Sequence, residues 1–166
     1  GGKYVLQRHE FTYHNPTAVA IDVDDLMAEE DLQARVRKIG EFTYHYIGRT
    51  LSLNAVAIRS VSGDPKVFAA AVRTVAGATG LPLILCTTNP VVMEAGLAEA
   101  KDRRPLMYAA TEKNWKSMAD LALAYHAPLV VHTGGDVALL RSLVKPLRAC
   151  GITDMVLDPG TLADDG

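Results

Sequence analysis

The polar residues able to do chemistry gather just after five short apolar runs. Arg59, Ser60, Ser62 and Asp64 follow the first run, and Thr87, Thr88 and Asn89 the second. Thr111 and Asn114 follow the third, His132, Thr133 and Asp136 the fourth, and Asp158 and Thr161 the fifth. If the runs are parallel strands, these positions are their carboxyl ends, where α/β folds bind ligands. Asn89, Asn114 and Asp158 carry the groups that hold the amide and amine edges of a heterocycle. The Arg59 fork suits a carboxylate or a phosphate. His132 offers a general base or an axial ligand. Arg59, Asn89, Asn114, His132 and Asp158 are therefore the candidate cofactor-binding residues. None is assigned a catalytic role, and no residue is assigned to a metal.

Each candidate also has a plainer reading. Asp64, Asn89 and Asp136 stand where helix caps belong. Arg59 with Asp64 or Asp158 makes a structural ion pair. His132 serves as a hydrogen-bonded loop histidine, and Gly134-Gly135 as a turn rather than a phosphate cradle. Cys86 reads as a small buried residue at a strand end. Arg8-His9-Glu10 mixes a cation, an imidazole and an acid, but successive strand residues face opposite ways, so only Arg8 and Glu10 share a face.

The elements that must position these residues alternate along the chain. The apolar, β-branched runs cover residues 53–58, 82–86, 105–109, 128–132 and 154–157. Helical stripes lie between them, at three- and four-residue spacing. One is Val67, Phe68, Ala71, Val72 and Val75; the next is Trp115, Met118, Ala122 and Tyr125; the last is Leu139, Leu140, Leu143 and Leu147. Asp64-Pro65 and Asn89-Pro90 place a capping side chain before a first-turn proline. Thr111 and Asp136 are further cap candidates, and Gly80 and Gly151 follow helices where a left-handed residue is common. Pro146, inside the last stripe, should kink or end its helix. Nearly continuous apolar strands suit a parallel sheet covered on both faces. Alternation with helices gives right-handed crossovers. A doubly wound open sheet and a (β/α)8 barrel both satisfy the pattern.

The first 50 residues differ. Residues 4–9 and 17–23 read as strands and residues 27–39 as an amphipathic helix. Phe42, Tyr44 and Tyr46 alternate with polar residues, and Gly48-Arg49 suggests a turn. Glu-Phe-Thr-Tyr-His stands at both 10–14 and 41–45, too short a match to be a repeat. Gly1-Gly2 is a hairpin turn pair with no strand before it, and 158–161 looks like a loop leaving a strand whose helix is missing. Both ends therefore read as cut from a larger protein.

Composition removes several classes. The chain has 166 residues, 49% hydrophobic and 22% charged, with a formal net charge of -2. That is one globular domain, with no charge excess to attract nucleic acid or an anionic membrane. Two cysteines cannot hold a four-thiolate metal or an iron–sulfur cluster. No apolar run reaches the length of a membrane span and no signal peptide opens the chain, so a reducing cytoplasm is expected. Gly-x-Gly-x-x-Gly, the Walker loop, His-Glu-x-x-His and Gly-x-Ser-x-Gly are all absent. So is the Asp-x-His-x-x-Gly run that brings a histidine to cobalt in many B12-binding domains.

Six strings, in order, carry a resemblance. They are Val-Leu-Gln-Arg-His-Glu (5–10), Asn-Pro-Thr (15–17), Ser-Gly-Asp-Pro (62–65) and Leu-Pro-Leu-Ile-Leu-Cys (81–86). Asp-Arg-Arg-Pro-Leu-Met-Tyr-Ala-Ala-Thr (102–111) and Val-Leu-Asp-Pro-Gly-Thr (156–161) complete the set. Together the chain resembles the large (gamma) subunit of the corrinoid iron–sulfur protein of the acetyl-CoA decarbonylase/synthase, or Wood–Ljungdahl, system. The resemblance implies an α/β fold, a partial (β/α)8 TIM barrel of about five to six parallel strands with helices outside, preceded by a short hairpin-like segment. Residues 1–166 would form an incomplete barrel domain, with 1–50 as the leading hairpin, strand and first helix and 51–166 as repeated βα units.

In such a subunit a [4Fe-4S] domain precedes the barrel and a corrinoid domain follows it. The resemblance implies that cobalt takes a methyl group from a methyl-tetrahydropterin or methyltetrahydrofolate through a methyltransferase and delivers it to acetyl-CoA synthase. The small (delta) subunit is the implied stable partner, with no nucleic acid and no membrane. The cluster cysteines and corrinoid domain are not in this sequence. The expectation is thus a scaffold and subunit-contact barrel that holds no cofactor of its own. The alternative is a pterin-binding methyltransferase barrel using Asn89, Asn114 and Asp158. A Schiff-base aldolase barrel is weaker, because none of Lys3, Lys38, Lys66, Lys101, Lys113, Lys116 and Lys145 ends a predicted strand.

Overall fold

The computed structural model describes residues 17–160. The expectations placed on residues 1–16 and on Thr161 lie outside this range. The order of elements is β1 (Ala20–Asp24), α1 (Glu29–Glu41), β2 (Thr43–Tyr46), β3 (Arg49–Ser52), β4 (Ala55–Arg59), α2 (Pro65–Ala78) and β5 (Leu83–Cys86). It continues with α3 (Pro90–Glu99), a short 3-10 turn (Lys101–Arg103), β6 (Leu106–Ala110), α4 (Trp115–Ala124), β7 (Leu129–His132), α5 (Val137–Ala149) and β8 (Met155–Asp158).

Six strands form one parallel sheet in the order β1-β4-β5-β6-β7-β8. The order never reverses, so every crossover steps the same way. A doubly wound sheet needs a switch point, and none occurs among the described residues. Right-handed crossovers that all advance in one direction leave every helix on the same side of the sheet. The helices accordingly pack in a single layer, each against the next from α1 to α5. This is the winding of a partial TIM barrel.

The core sits between that layer and one face of the sheet. Val56, Ile58, Leu83, Leu85, Met107, Leu129 and Val131 point to the helices and are buried. Phe68, Val72 and Val75 of α2 and Leu140, Leu143 and Leu147 of α5 meet them, as the helical stripes predict. Val67, placed in the stripe, is instead exposed. The buried strand side chains fix the register, since a one-residue slip of a strand would turn them outward. Gly96 lets α3 lie close to this core. A Cβ there would fall 2.6 Å from the Phe68 ring and 3.3 Å from Leu85.

Local punctuation follows the sequence in most places. Asp64 accepts hydrogen bonds from the amides of Lys66 and Val67, Asn89 from Val91 and Asp136 from Leu139. Gly151 takes the left-handed φ of 95° that follows α5. Three readings change. Pro146 does not end α5, which runs to Ala149. In the last turn and a half its missing N–H costs one bond, and the freed Ser142 carbonyl lies on an exposed helix face. Gly80 is not left-handed, because Thr79, in extended backbone, already ends α2. Thr111 does not cap α4; its own amide donates to the Asn114 side chain. The half-exposed strand with Tyr44 and Tyr46 and the turn at Gly48 are borne out as the hairpin β2–β3, lying between α1 and β4 and closed by Ile47 and Gly48 at φ 44° and 71°. No helix among the described residues is long and apolar enough to cross a membrane.

Candidate functional site

Side chains alternate along each strand, so every second residue points away from the helices. At the carboxyl ends this puts Asp24, Arg59, Cys86 and Tyr108 in one continuous register across β1, β4, β5 and β6. A bulge between Met107 and Ala110 breaks the register of β6 with β7, and the row resumes with His132 opposite Asp158. The structure thus brings Arg59, His132 and Asp158 onto the helix-free face, with Cys86 and Tyr108 between them.

Tyr108, His132 and Asp158 form a hydrogen-bonded array. The Tyr108 hydroxyl donates to Asp158 Oδ2 at 2.7 Å, across the intervening strand β7. His132 Nδ1 lies 3.2 Å from the same oxygen. The Gly160 amide donates to Asp158 Oδ1 at 2.8 Å. The Tyr108 hydroxyl and the Gly160 amide hold the Asp158 carboxyl below its usual range, against a smaller opposing effect of burial. Burial, reinforced by Asp158, pushes the Tyr108 phenol up to about 12. At neutral pH the carboxylate is ionised and the phenol protonated, so His132 Nδ1 carries the ring proton in this contact. Gly160, at φ 79°, sits where a Cβ would fall 3.0 Å from Gly134 Cα, which brings the loops after β7 and β8 into contact.

The other candidates are spent on the framework. Asn89 is exposed and caps α3. Asn114 uses both ends of its amide. Its Oδ1 accepts from the Thr111 amide and hydroxyl, and its Nδ2 donates to the carbonyls of Thr88 and Ala109 at 2.8 and 3.2 Å. It ties the loops after β5 and β6 together. Arg59 pairs with Asp22 Oδ2 at 3.2 Å, not with Asp64 or Asp158 as the sequence suggested. Asp22 stands one pleat earlier on β1, and only the β1–β4 pairing makes it a neighbour. Cys86 is half-buried on the open face rather than in the core. Burial first, and then the Asp22 carboxylate, push its thiol up to about 11, so it is neither a thiolate nor a nucleophile at neutral pH.

Sequence reasoning missed Asp25. Its side chain is the one charged group buried among the described residues, at 5% exposure. Oδ1 accepts from the amides of Val61 and Ser62 at 2.8 and 3.0 Å, and Oδ2 from the hydroxyls of Ser62 and Ser60 at 2.5 and 3.3 Å. Burial pushes its carboxyl upward, but these four donors together outweigh it and leave the group below its ordinary value. The available signal was an acid closing an apolar strand with a serine-rich loop following the next one. Among the described residues no group of three or more histidine, cysteine, aspartate and glutamate side chains could hold a metal ion.

A singly wound parallel sheet with a polar row at its carboxyl ends defines a βα-barrel protein. The particular family comes from comparison with known proteins. Residues 1–166 match the family described as CO dehydrogenase/acetyl-CoA synthase delta subunit, and the chain belongs to that family. Among its relatives is the acetyl-CoA decarbonylase/synthase complex subunit gamma 2 of Methanosarcina thermophila, 50% identical over 161 residues. That alignment covers 97% of this chain and 34% of the relative. The gamma subunit of Methanothermobacter thermautotrophicus is 40% identical over 166 residues, covering 100% of this chain and 36% of the relative. The corrinoid/iron-sulfur protein large subunit of Moorella thermoacetica is 39% identical over 160 residues, covering 96% and 36%. The chain thus spans about a third of the length of the relatives it matches. The family carries the name of the delta subunit, while these relatives are gamma or large subunits, as the six strings suggested.

Proposed function

We propose that this chain is the central-barrel portion of a corrinoid iron–sulfur protein large subunit, acting as scaffold and subunit contact. In this reading residues 1–166 are an incomplete TIM-barrel domain in the cytoplasm. The [4Fe-4S] cluster and the corrinoid belong to other parts of the full-length protein. The barrel holds those mobile parts and the small (delta) subunit in reach of one another. The parent protein takes a methyl group from a methyl-tetrahydropterin or methyltetrahydrofolate, with a methyltransferase, and passes it to acetyl-CoA synthase.

The observation that carries the reading is similarity along nearly the whole of this chain, at 39 to 50% identity, to about a third of the length of subunits so named. Two features of the fold support it. The strand-end amides that a pterin would need, on Asn89 and Asn114, are committed to backbone groups. The sheet also has an open edge. Among the described residues β8 pairs only with β7, and Val156 and Leu157, on its opposite faces, are 49% and 50% exposed. An incomplete barrel leaves such an edge.

Co-expression with the delta subunit of a methanogen relative tests the proposal. A stable complex on size-exclusion chromatography, with no tight binding of cobalamin or methyltetrahydrofolate by this chain alone, is the expected result. Cobalamin or methyltetrahydrofolate bound tightly by the isolated chain, or no complex with the delta subunit, overturns it.

A further inference from the structure

His132 is the strand-end group whose chemistry the scaffold does not use up. Its Nδ1 is fixed on Asp158, which is itself held by the Tyr108 hydroxyl and the Gly160 amide. A carboxylate that pins one imidazole nitrogen leaves the other as the working atom. No hydrogen bond from Nε2 to a described residue competes for it. The same histidine lines an open cleft of about 400 Å3 above the carboxyl ends of β5, β6 and β7. Thr88, Lys113 and Thr133 line it too, with Leu139 as an apolar wall and Glu112 as an opposing charge. The Thr133 hydroxyl is already donated to the Asp136 carbonyl, whereas that of Thr88 is given to no described residue.

The donors available to a ligand are therefore an ammonium, a hydroxyl and, once protonated, an imidazole ring N–H. That set matches an oxyanion. We propose that this cleft binds the phosphate or carboxylate group of a small ligand through His132 Nε2 and Lys113. The site is separate from the scaffold reading and does not depend on it. The incoming anion adds a second negative partner to an imidazole that already faces Asp158. Of the other charged and titratable groups around the ring, Lys113 favours the anion, Glu112 opposes it, and Tyr108 stays neutral.

The test is a nuclear magnetic resonance titration of the full chain at constant ionic strength, following the His132 ring nitrogens and the Thr133 and Gly134 amides. Sulfate, which does not titrate near neutrality, stands for the phosphate group, and acetate for the carboxylate. Saturable shifts with a dissociation constant on the order of 1 mM are expected. Saturation by sulfate alone identifies a phosphate site, and by acetate alone a carboxylate site. His132→Gln and Lys113→Gln should each weaken binding about tenfold, and Glu112→Gln should tighten it. Shifts that grow linearly without saturating, or that persist unchanged in His132→Gln and Lys113→Gln, overturn the proposal. Because all three substituted side chains line an open cleft, an unchanged amide spectrum elsewhere separates lost binding from lost folding.

Discussion

The two ends of the sheet are held together by opposite chemistry. At the carboxyl ends of the strands the carboxylates and caps are acceptors, although Asn114 and Thr133 also donate to carbonyls there. Asp25, Asp64, Asn89, Asp136 and Asp158 all take hydrogen bonds from backbone amides. At the amino ends two arginines are the main donors, although Asn54 accepts from the Val19 amide there. Arg103 gives its guanidinium to the carbonyls of Ala76, Thr79 and Leu81 at 2.9, 3.0 and 2.7 Å. Arg104 gives Nε to the His126 carbonyl at 2.8 Å and pairs with Asp154. The division follows from the winding. Helices run back against the strands, so unpaired amides cluster at the carboxyl ends and unpaired carbonyls at the amino ends. Each end recruits the side chain its backbone lacks, and the helix dipoles favour the same assignment.

Asp25→Ala is the sharpest way to break the carboxyl end. It strips four donors of their acceptor in a buried place, and about 3 kcal/mol of stability should go, read from urea denaturation. A loss within experimental error of zero would mean that water replaces the carboxylate and that the knot is not structural. The same contrast predicts a direction with pH. Asp25 and Asp158 have carboxyls lowered in the folded state. Their contribution is complete above the ordinary carboxylate range and disappears as pH falls through the lowered values. Arginines keep their charge throughout. On acidification, amide exchange should therefore rise first in the loops after β4 and β8, while the turn around Arg103 stays protected.

Arg103→Met sharpens the comparison from the other side. The methionine keeps most of the stem's packing but removes the donors from three carbonyls. These carbonyls lie nearer to solvent than the Asp25 knot, so water can reach some of them. A loss of about 2 kcal/mol is expected, smaller than for Asp25→Ala. Equal losses would erase the distinction between a buried acceptor and a half-exposed donor.

These two residues also show what could and could not be read from the sequence. Caps were legible because an Asp or Asn and the amides it serves lie within three residues of each other. The central strands β4 to β7 were legible because their apolar runs are nearly continuous and mostly buried, and the helical stripes because burial repeats every turn. Asp25, by contrast, binds residues 35 to 37 positions away, and Arg103 binds carbonyls 22 to 27 positions away. Such partners become neighbours only after the strand order is set. Arg59 failed for the same reason. The residues behind it suggested Asp64 and Asp158, while the pairing of β1 with β4 supplied Asp22. Pro146 misled in the opposite way, since a rule about helix interiors was applied to a last turn.

Asp158→Ala tests the array at a smaller scale. About 1 kcal/mol of stability should be lost, because the carboxylate is only partly buried and water can take its place. The more telling readout is the Tyr108 phenol, followed by tyrosinate absorbance. Burial is the first cause of its rise to about 12, and Asp158 the next. In the variant the phenol should titrate lower, yet still above the ordinary tyrosine range. The sign for stability follows. A raised value stabilises the fold below the ordinary phenol range and loses that effect as pH climbs toward about 12. The variant should lose less stability over that alkaline interval than the wild type. A phenol that does not move would place Asp158 outside the array.

Arg59→Ala should have the smallest effect, and for that reason it bounds the comparison. Arg59 is a cation at the end of the sheet where acceptors dominate. Its pair with Asp22 is exposed on both sides, at 55% and 58%. An ion pair in that setting contributes about 0.5 kcal/mol or less, reduced further by salt. The stability change should therefore be near the limit of measurement and vanish in 1 M salt. A loss as large as that of Arg103→Met would mean that Arg59 is not a surface ornament of β4. It would then be a structural cation among acceptors, and the rule that each end recruits what its backbone lacks would hold for the loops but not for the strand row itself.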